Sequence, residues 1–131
     1  MEKVKRRKDD GSFLTKYIRS FKHSIDGIVY SIEQEINIIL IMVLTLMALG
    51  VGFMLEISKI ELCLVVLSMG AVMASELINC AIEATVDLVT LDIHPLAKIA
   101  KDCASSATLI LVFGAMFVNG IIFIPKIIDL M

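Results

Sequence analysis

Glu76, Asn79, Glu83 and Asp87 stand three, four and four residues apart. On a helix that spacing lines all four along one narrow stripe, while Leu77, Ile78, Ala81, Ile82 and Val86 cover the other faces. The stripe continues an apolar run, 62–75, suited to a bilayer. A carboxylate deep in hydrocarbon costs roughly 2.5–3.5 kcal/mol on insertion scales. Side chains that expensive are kept for use. Glu76 and Asn79 alone could glue helices together by hydrogen bonds, but glue does not require Glu83 and Asp87 to extend the stripe.

Carboxylates at a membrane boundary, without a thiolate or imidazole cluster, suit a hard cation such as Mg2+. Magnesium takes one or two protein carboxylates and fills its other positions with water and phosphate oxygens. That points to a nucleotide, with Lys16, Lys98 and Lys101 available for its phosphates. Glu76, deeper and partly desolvated, is placed to take a proton from a hydroxyl presented by a lipid. The residues alone therefore describe an interfacial enzyme that moves phosphoryl groups. The rival of another class is a small proton or ion transporter with Glu76 as carrier site. Its usual cue, spans broken by Gly and Pro, is missing.

The elements that must position these residues follow from composition. The chain has 131 residues, of which 58% are hydrophobic, and a mean hydropathy of +0.89, far above a soluble domain. This length suits one membrane domain, 12–131, behind a flexible basic head, 1–11. The net charge of -2 hides an asymmetry, because eight of the 12 Lys and Arg lie between Lys3 and Lys22. That head runs into a polar amphipathic segment, so no secretory signal is expected. Cys63, Cys80 and Cys103 show no CxxC spacing and read as small hydrophobes. No Walker loop, kinase HRD or DFG signature, Cys/His cluster or GxSxG elbow is present, and no nucleic-acid partner is indicated.

Leu14, Tyr17, Ile18, Phe21, Ile25, Ile28, Val29 and Ile32 recur at helical spacing, with Lys16, Arg19, Lys22 and His23 between them. This predicts a surface helix over 12–34, capped by Ser12 and lying in the interface. Residues 36–55 carry no charge, and twenty residues at about 1.5 Å each make about 30 Å, enough to cross. Further spans are predicted at 62–86 and 103–124, the last closed by Pro125 and Lys126. Between them, 88–102 forms a connection with a helix break at His94-Pro95. Ten of the 12 basic residues lie in the head or in 84–102, which places the N-terminus and that connection in the cytoplasm and the C-terminus outside. If the second span is upright, Glu76 lies about 21 Å in and Glu83 about 31 Å in. Glu83 then reaches the cytoplasmic boundary, where Glu35, Lys101 and Asp102 also stand.

The run from Glu76 to Asp87 resembles the E-x-x-N-S/T-A-I/L-E-x-x-V/I-D signature of the prokaryotic diacylglycerol kinase family, whose Gram-positive branch contains undecaprenol kinases. His94 to Asp102 resembles the H-P-L-A-K-x-A-K-D segment of that branch, and the terminal Ile-Phe-Ile-Pro125-Lys126 is similar too. The likeness runs from about Tyr17 to Lys126. It implies an all-α integral membrane fold, a surface helix plus three transmembrane helices, assembled as a homotrimer with shared active sites. It further implies MgATP as donor, undecaprenol as acceptor with diacylglycerol as alternative, and a multi-pass protein of the bacterial inner membrane with a cytoplasmic active site.

Carried over residue by residue, Glu76 is the catalytic base, Glu35 and Glu83 hold the metal, and Asn79 supports the site. Lys101 and Asp102 contact nucleotide, Lys16 and His23 approach ATP from the surface helix, and Asp92, Ile93 and His94 line the nucleotide. Ser105 falls near the lipid end, and Asp87 caps or orients. Three positions depart from the pattern. Cys80 replaces Ser or Thr, Ile39 stands where the family commonly has Arg, and Asp26 stands where a basic residue is common. The Ile39 change leaves room for a third reading, a non-catalytic assembly subunit.

Overall fold

A computed structural model describes residues 13–130. The chain is all-α, with α1 at Phe13–Gln34, α2 at Ile36–Met54, α3 at Lys59–Val89 and α4 at Pro95–Ile128. The expected basic head and the Ser12 cap lie outside the described residues. The helices α2, α3 and α4, of 19, 31 and 34 residues, are long and apolar enough to cross a membrane.

Helix α1 is amphipathic, and its apolar side chains Phe13, Leu14, Tyr17, Ile18 and Phe21 are exposed, as suits a helix that lies in a bilayer surface. Its buried residue is Ser31, near its C-terminal end. One extended residue, Glu35, separates α1 from α2 (φ -123°, ψ 110°). Its N–H donates to the Ser31 carbonyl at 2.9 Å, while its carboxylate makes no cap on α2. The corner therefore presents a carboxylate not spent on local structure.

The turn into α3 is held by a capping box. The Ser58 N–H donates to Glu61 Oε2 at 2.7 Å and the Glu61 N–H to Ser58 Oγ at 3.3 Å, which satisfies two otherwise orphaned donors. Glu61 also pairs with Lys126 of α4 at 3.6 Å. Gly52 packs closely beside this turn, where a Cβ would meet Ile57 Cδ1 at 2.7 Å and oblige that side chain to shift.

Several boundaries differ from the sequence expectation, α3 among them, which runs over Lys59–Val89 rather than over the predicted 62–86. The connection expected over 88–102 is non-helical over 90–94 alone, and α4 begins at Pro95. A proline at the first helical position loses no bond it would have made and fixes φ for the helix. His94 caps it, its Nδ1 accepting from the Leu96 N–H at 3.2 Å. Lys98, Lys101 and Asp102 thereby stand on the first two turns of α4. At the other end α4 continues through Pro125 to Ile128. Pro125 has no N–H to give the Ile121 carbonyl, so one intrahelical bond is lost there, while the Pro125 carbonyl still accepts from the Asp129 N–H at 3.0 Å.

The core is a small cluster of Ile41, Val72 and Ala115 with Met69, Met73 and Val112. Most other large apolar side chains of the spans face outward. Helix α3 packs most extensively on α4, and two hydrogen bonds between uncharged side chains cross that seam. Ser75 Oγ and Thr108 Oγ1 are 3.0 Å apart, and Asn119 Nδ2 donates to Ser68 Oγ at 3.3 Å. Ser58→Ala breaks the capping box and is expected to lower stability by about 0.5–2 kcal/mol, read as a lower thermal midpoint of the protein in detergent.

Candidate functional site

The site is assembled from the middle of α3 toward its C-terminal end and from the α1–α2 corner. Glu76 is only 3% exposed, and its Oε1 has no hydrogen-bond partner. Asn79, also buried, donates from Nδ2 to Glu83 Oε1 at 3.2 Å, so the amide orients that carboxylate one turn along the helix. Asn79 Oδ1 is left without a partner. Two buried oxygens one turn apart thus lack a donor or a cation.

Glu35 completes the cluster from the corner. Its carboxyl is held above the usual carboxylate range, first by burial, then by the negative charge of Glu83 and of Glu76. Acidic groups from the α1–α2 corner and from α3 therefore share one field. Among the described residues, no three His, Cys, Asp or Glu side chains are grouped so as to enclose a metal ion.

Beyond the end of α3, the 90–94 connection and the start of α4 frame a hollow of about 300 Å³. Asp92, Ile93, His94, Lys101 and Asp102 all line it, together with Asp87 and Lys98. Two ion pairs shape its rim. Lys101 Nζ lies 2.6 Å from Asp87 Oδ1, with the two side chains 34% and 48% exposed, and Lys98 pairs with Asp102 at 2.5 Å. Lys101 also feels the charge of Glu83, which ties the hollow to the carboxylate cluster.

Other expected residues stand apart from this hollow. Lys16 and His23 line a shallow depression on α1 with Arg19, Ser20 and Ser24. Ser105 is exposed on α4 and borders neither. Ile39, on α2 one turn past Glu35, is 45% exposed. The Lys101–Asp87 pair and the Ser75–Thr108 bond beside Glu76 were not foreseen from the sequence. Asp87 and Lys101 are 14 residues apart on different helices, and single hydroxyls in apolar runs carry no signal of their own.

Comparison with known proteins places this geometry. A family profile described as prokaryotic diacylglycerol kinase matches residues 22–123. The chain is 37% identical over 120 residues to the undecaprenol kinase of Bacillus subtilis (strain 168), covering 92% of this chain and 98% of that one. It is 33% identical over 113 residues to a diacylglycerol kinase of Synechocystis sp., covering 86% of this chain and 65% of that one. Against a diacylglycerol kinase of Pseudomonas aeruginosa the identity is 34% over 94 residues, 72% of this chain and 76% of that one.

The raised position of Glu35 has a pH consequence. Above its folded-state range the group is ionised at a cost the unfolded chain does not bear, and that cost disappears as pH falls toward the ordinary value of 4.5. Metal-free Glu35→Gln protein is therefore expected to melt higher than wild type near neutral pH. The advantage should shrink as the pH approaches the ordinary carboxylate range, as read by thermal denaturation with chelator present.

Proposed function

This chain belongs to the prokaryotic diacylglycerol kinase family and is a membrane lipid kinase, and on that premise we propose that it transfers the γ-phosphoryl group of MgATP to the hydroxyl of undecaprenol. The observation that carries the reading is Glu76. It is a buried carboxylate with an unpartnered oxygen, set seven residues, or about 10 Å along the helix, from Glu83, with the water-facing hollow beginning a turn further on at Val86.

The lipid hydroxyl gives its proton to Glu76 as the oxygen attacks. The bond from Pγ to the bridging oxygen of ADP breaks, and a bond from Pγ to the lipid oxygen forms in line. Asn79 holds Glu83 in place through its amide. Lys101, released from Asp87, offsets the negative charge that develops on the phosphates. Asp92, Ile93, His94 and Asp102 frame the nucleotide, and Lys16 and His23 approach it from α1. Ser105 lies toward the lipid.

The donor set fits a magnesium ion. It is all oxygen, its carboxylates repel one another at Glu35, and magnesium needs only one or two protein carboxylates because water and phosphate supply the rest. Glu35 and Glu83 would hold the ion, which when bound neutralises charge on the ATP phosphates.

The acceptor preference has two supports. The Bacillus subtilis relative named undecaprenol kinase aligns along nearly the whole of both chains. Beside Glu76, a largely apolar hollow of about 290 Å³ between α1 and α3 is lined by residues including Gly27, Ile28, Tyr30, Leu77, Cys80 and Ala81. Such walls suit the hydrocarbon head of a polyprenol better than the ester oxygens of a glycerolipid. Diacylglycerol remains the second acceptor, since several relatives carry that name.

A homotrimer is part of the proposal. The outward apolar faces of the spans offer helix-packing surface, and α1 of one copy would bring Lys16 and His23 to the hollow of another. The basic asymmetry of the sequence supports a bacterial inner-membrane protein with its N-terminus and site in the cytoplasm.

Purified protein assayed with radiolabelled ATP and each lipid side by side should phosphorylate undecaprenol faster than diacylglycerol. Glu76→Gln should cut turnover by at least about 100-fold while leaving ATP affinity within about threefold. Near-normal turnover in that variant would remove Glu76 from the role of base.

A further inference from the structure

Ser68 and Ser75 stand seven residues apart on α3, so they mark one face of that helix. Both meet α4, through Asn119 at 3.3 Å and through Thr108 at 3.0 Å. In hydrocarbon no water can stand in for either partner, so the two bonds fix how far α3 slides and turns against α4. The inner bond adjoins the reaction centre, because Ser75 is followed directly by Glu76, and Thr108 is buried.

Successive side chains on a helix point about 100° apart. With Ser75 directed at α4, Glu76 is turned off that seam, and Glu35 at the α1–α2 corner feels its charge. A side chain carried about 6 Å from the helix axis moves about 2 Å when the helix turns by 20°, and misplacements of about 1 Å can cost 100-fold in rate. We propose that the Ser75–Thr108 bond is a latch that sets the direction of Glu76, with Thr108 as a positioning residue for proton transfer. The inference rests on Glu76 being the base. The outer bond, Ser68 with Asn119, steadies the same seam away from the site.

Thr108→Val keeps the shape of the side chain and removes its hydroxyl. It should lower kcat by about 3- to 10-fold and leave the KM for MgATP within twofold, and Thr108→Ser should restore kcat. Ser75→Ala should match it, and the double variant should be no worse than either single, because both remove one bond. Asn119→Leu, which removes the outer bond, should lower the thermal midpoint but hold kcat within about twofold of wild type.

A second readout needs no activity. In a background whose native cysteines are replaced by serine, an E35C/E76C pair should react with a bis-maleimide at least about threefold more slowly when Thr108→Val is added, and at an unchanged rate with Asn119→Leu. Unchanged kcat and cross-linking in Thr108→Val would overturn the latch, as would an equal fall in Asn119→Leu or no rescue by serine. If wild type phosphorylates neither lipid, the kinase reading of the site fails, and the cross-linking rates alone decide whether the bond directs position 76.

Discussion

Hydrocarbon neither hydrates a carboxylate nor lends it a hydrogen bond, and the polar architecture of this chain follows from that. Within the spans, Thr45 returns its hydroxyl to the Ile41 carbonyl and Ser68 to that of Val65. Ser75 and Thr108 satisfy each other. Against this thrift, Glu76 Oε1 and Asn79 Oδ1 are left bare, as is Asn119 Oδ1 on α4. An unsatisfied buried oxygen costs on the order of 1–3 kcal/mol, and on the proposed reading the two on α3 are met by substrate.

The charges at the end of α3 obey a different rule, because water reaches them. Lys101 and Lys98 are each neutralised by a carboxylate of the same hollow, Asp87 and Asp102. Exposed pairs of this kind contribute little to stability and exchange readily. On the proposed reading they hold long side chains at the rim until phosphate arrives as a stronger, multiply charged partner. Chemistry is on that reading split along one helix, with proton transfer at its buried middle and phosphate binding where charges can be exchanged.

Much of this was legible in the sequence because the bilayer simplifies the code. Uncharged runs of about 20 residues admit one conformation in lipid, so α2 and α4 could be read by length alone, while the longest uncharged run in α3 is 62–75. The stripe from Glu76 to Asp87 was legible because intramembrane carboxylates are too costly to be incidental. What escaped depended on pairing across helices. Nothing local to Asp87 announces Lys101, and nothing local to Thr108 announces Ser75. The start of α4 was misplaced because His94-Pro95 ends one conformation and begins another, and periodicity cannot tell a break from a cap. The corner at Glu35 was legible as a boundary, while the burial and repulsion acting on its carboxyl needed three dimensions.

The same solvent argument bears on which lipid is accepted. A tail already dissolved in the bilayer gains little by moving onto the exposed apolar flanks of α2 and α4, since lipid is as good a solvent as a leucine face. Discrimination must therefore arise near the hydroxyl, within a turn or two of Glu76, where lipid is excluded by protein. There Leu77, Cys80 and Ala81 of α3 face Gly27, Ile28 and Tyr30 of α1. Ester carbonyls brought into that wall would lose their hydration and find few donors, a cost of about 1–3 kcal/mol each. The carbons flanking a polyprenol hydroxyl incur no such cost. On the proposed reading, acceptor choice is thus a matter of what the protein declines to hydrogen-bond, and the apolar wall beside Glu76 carries it.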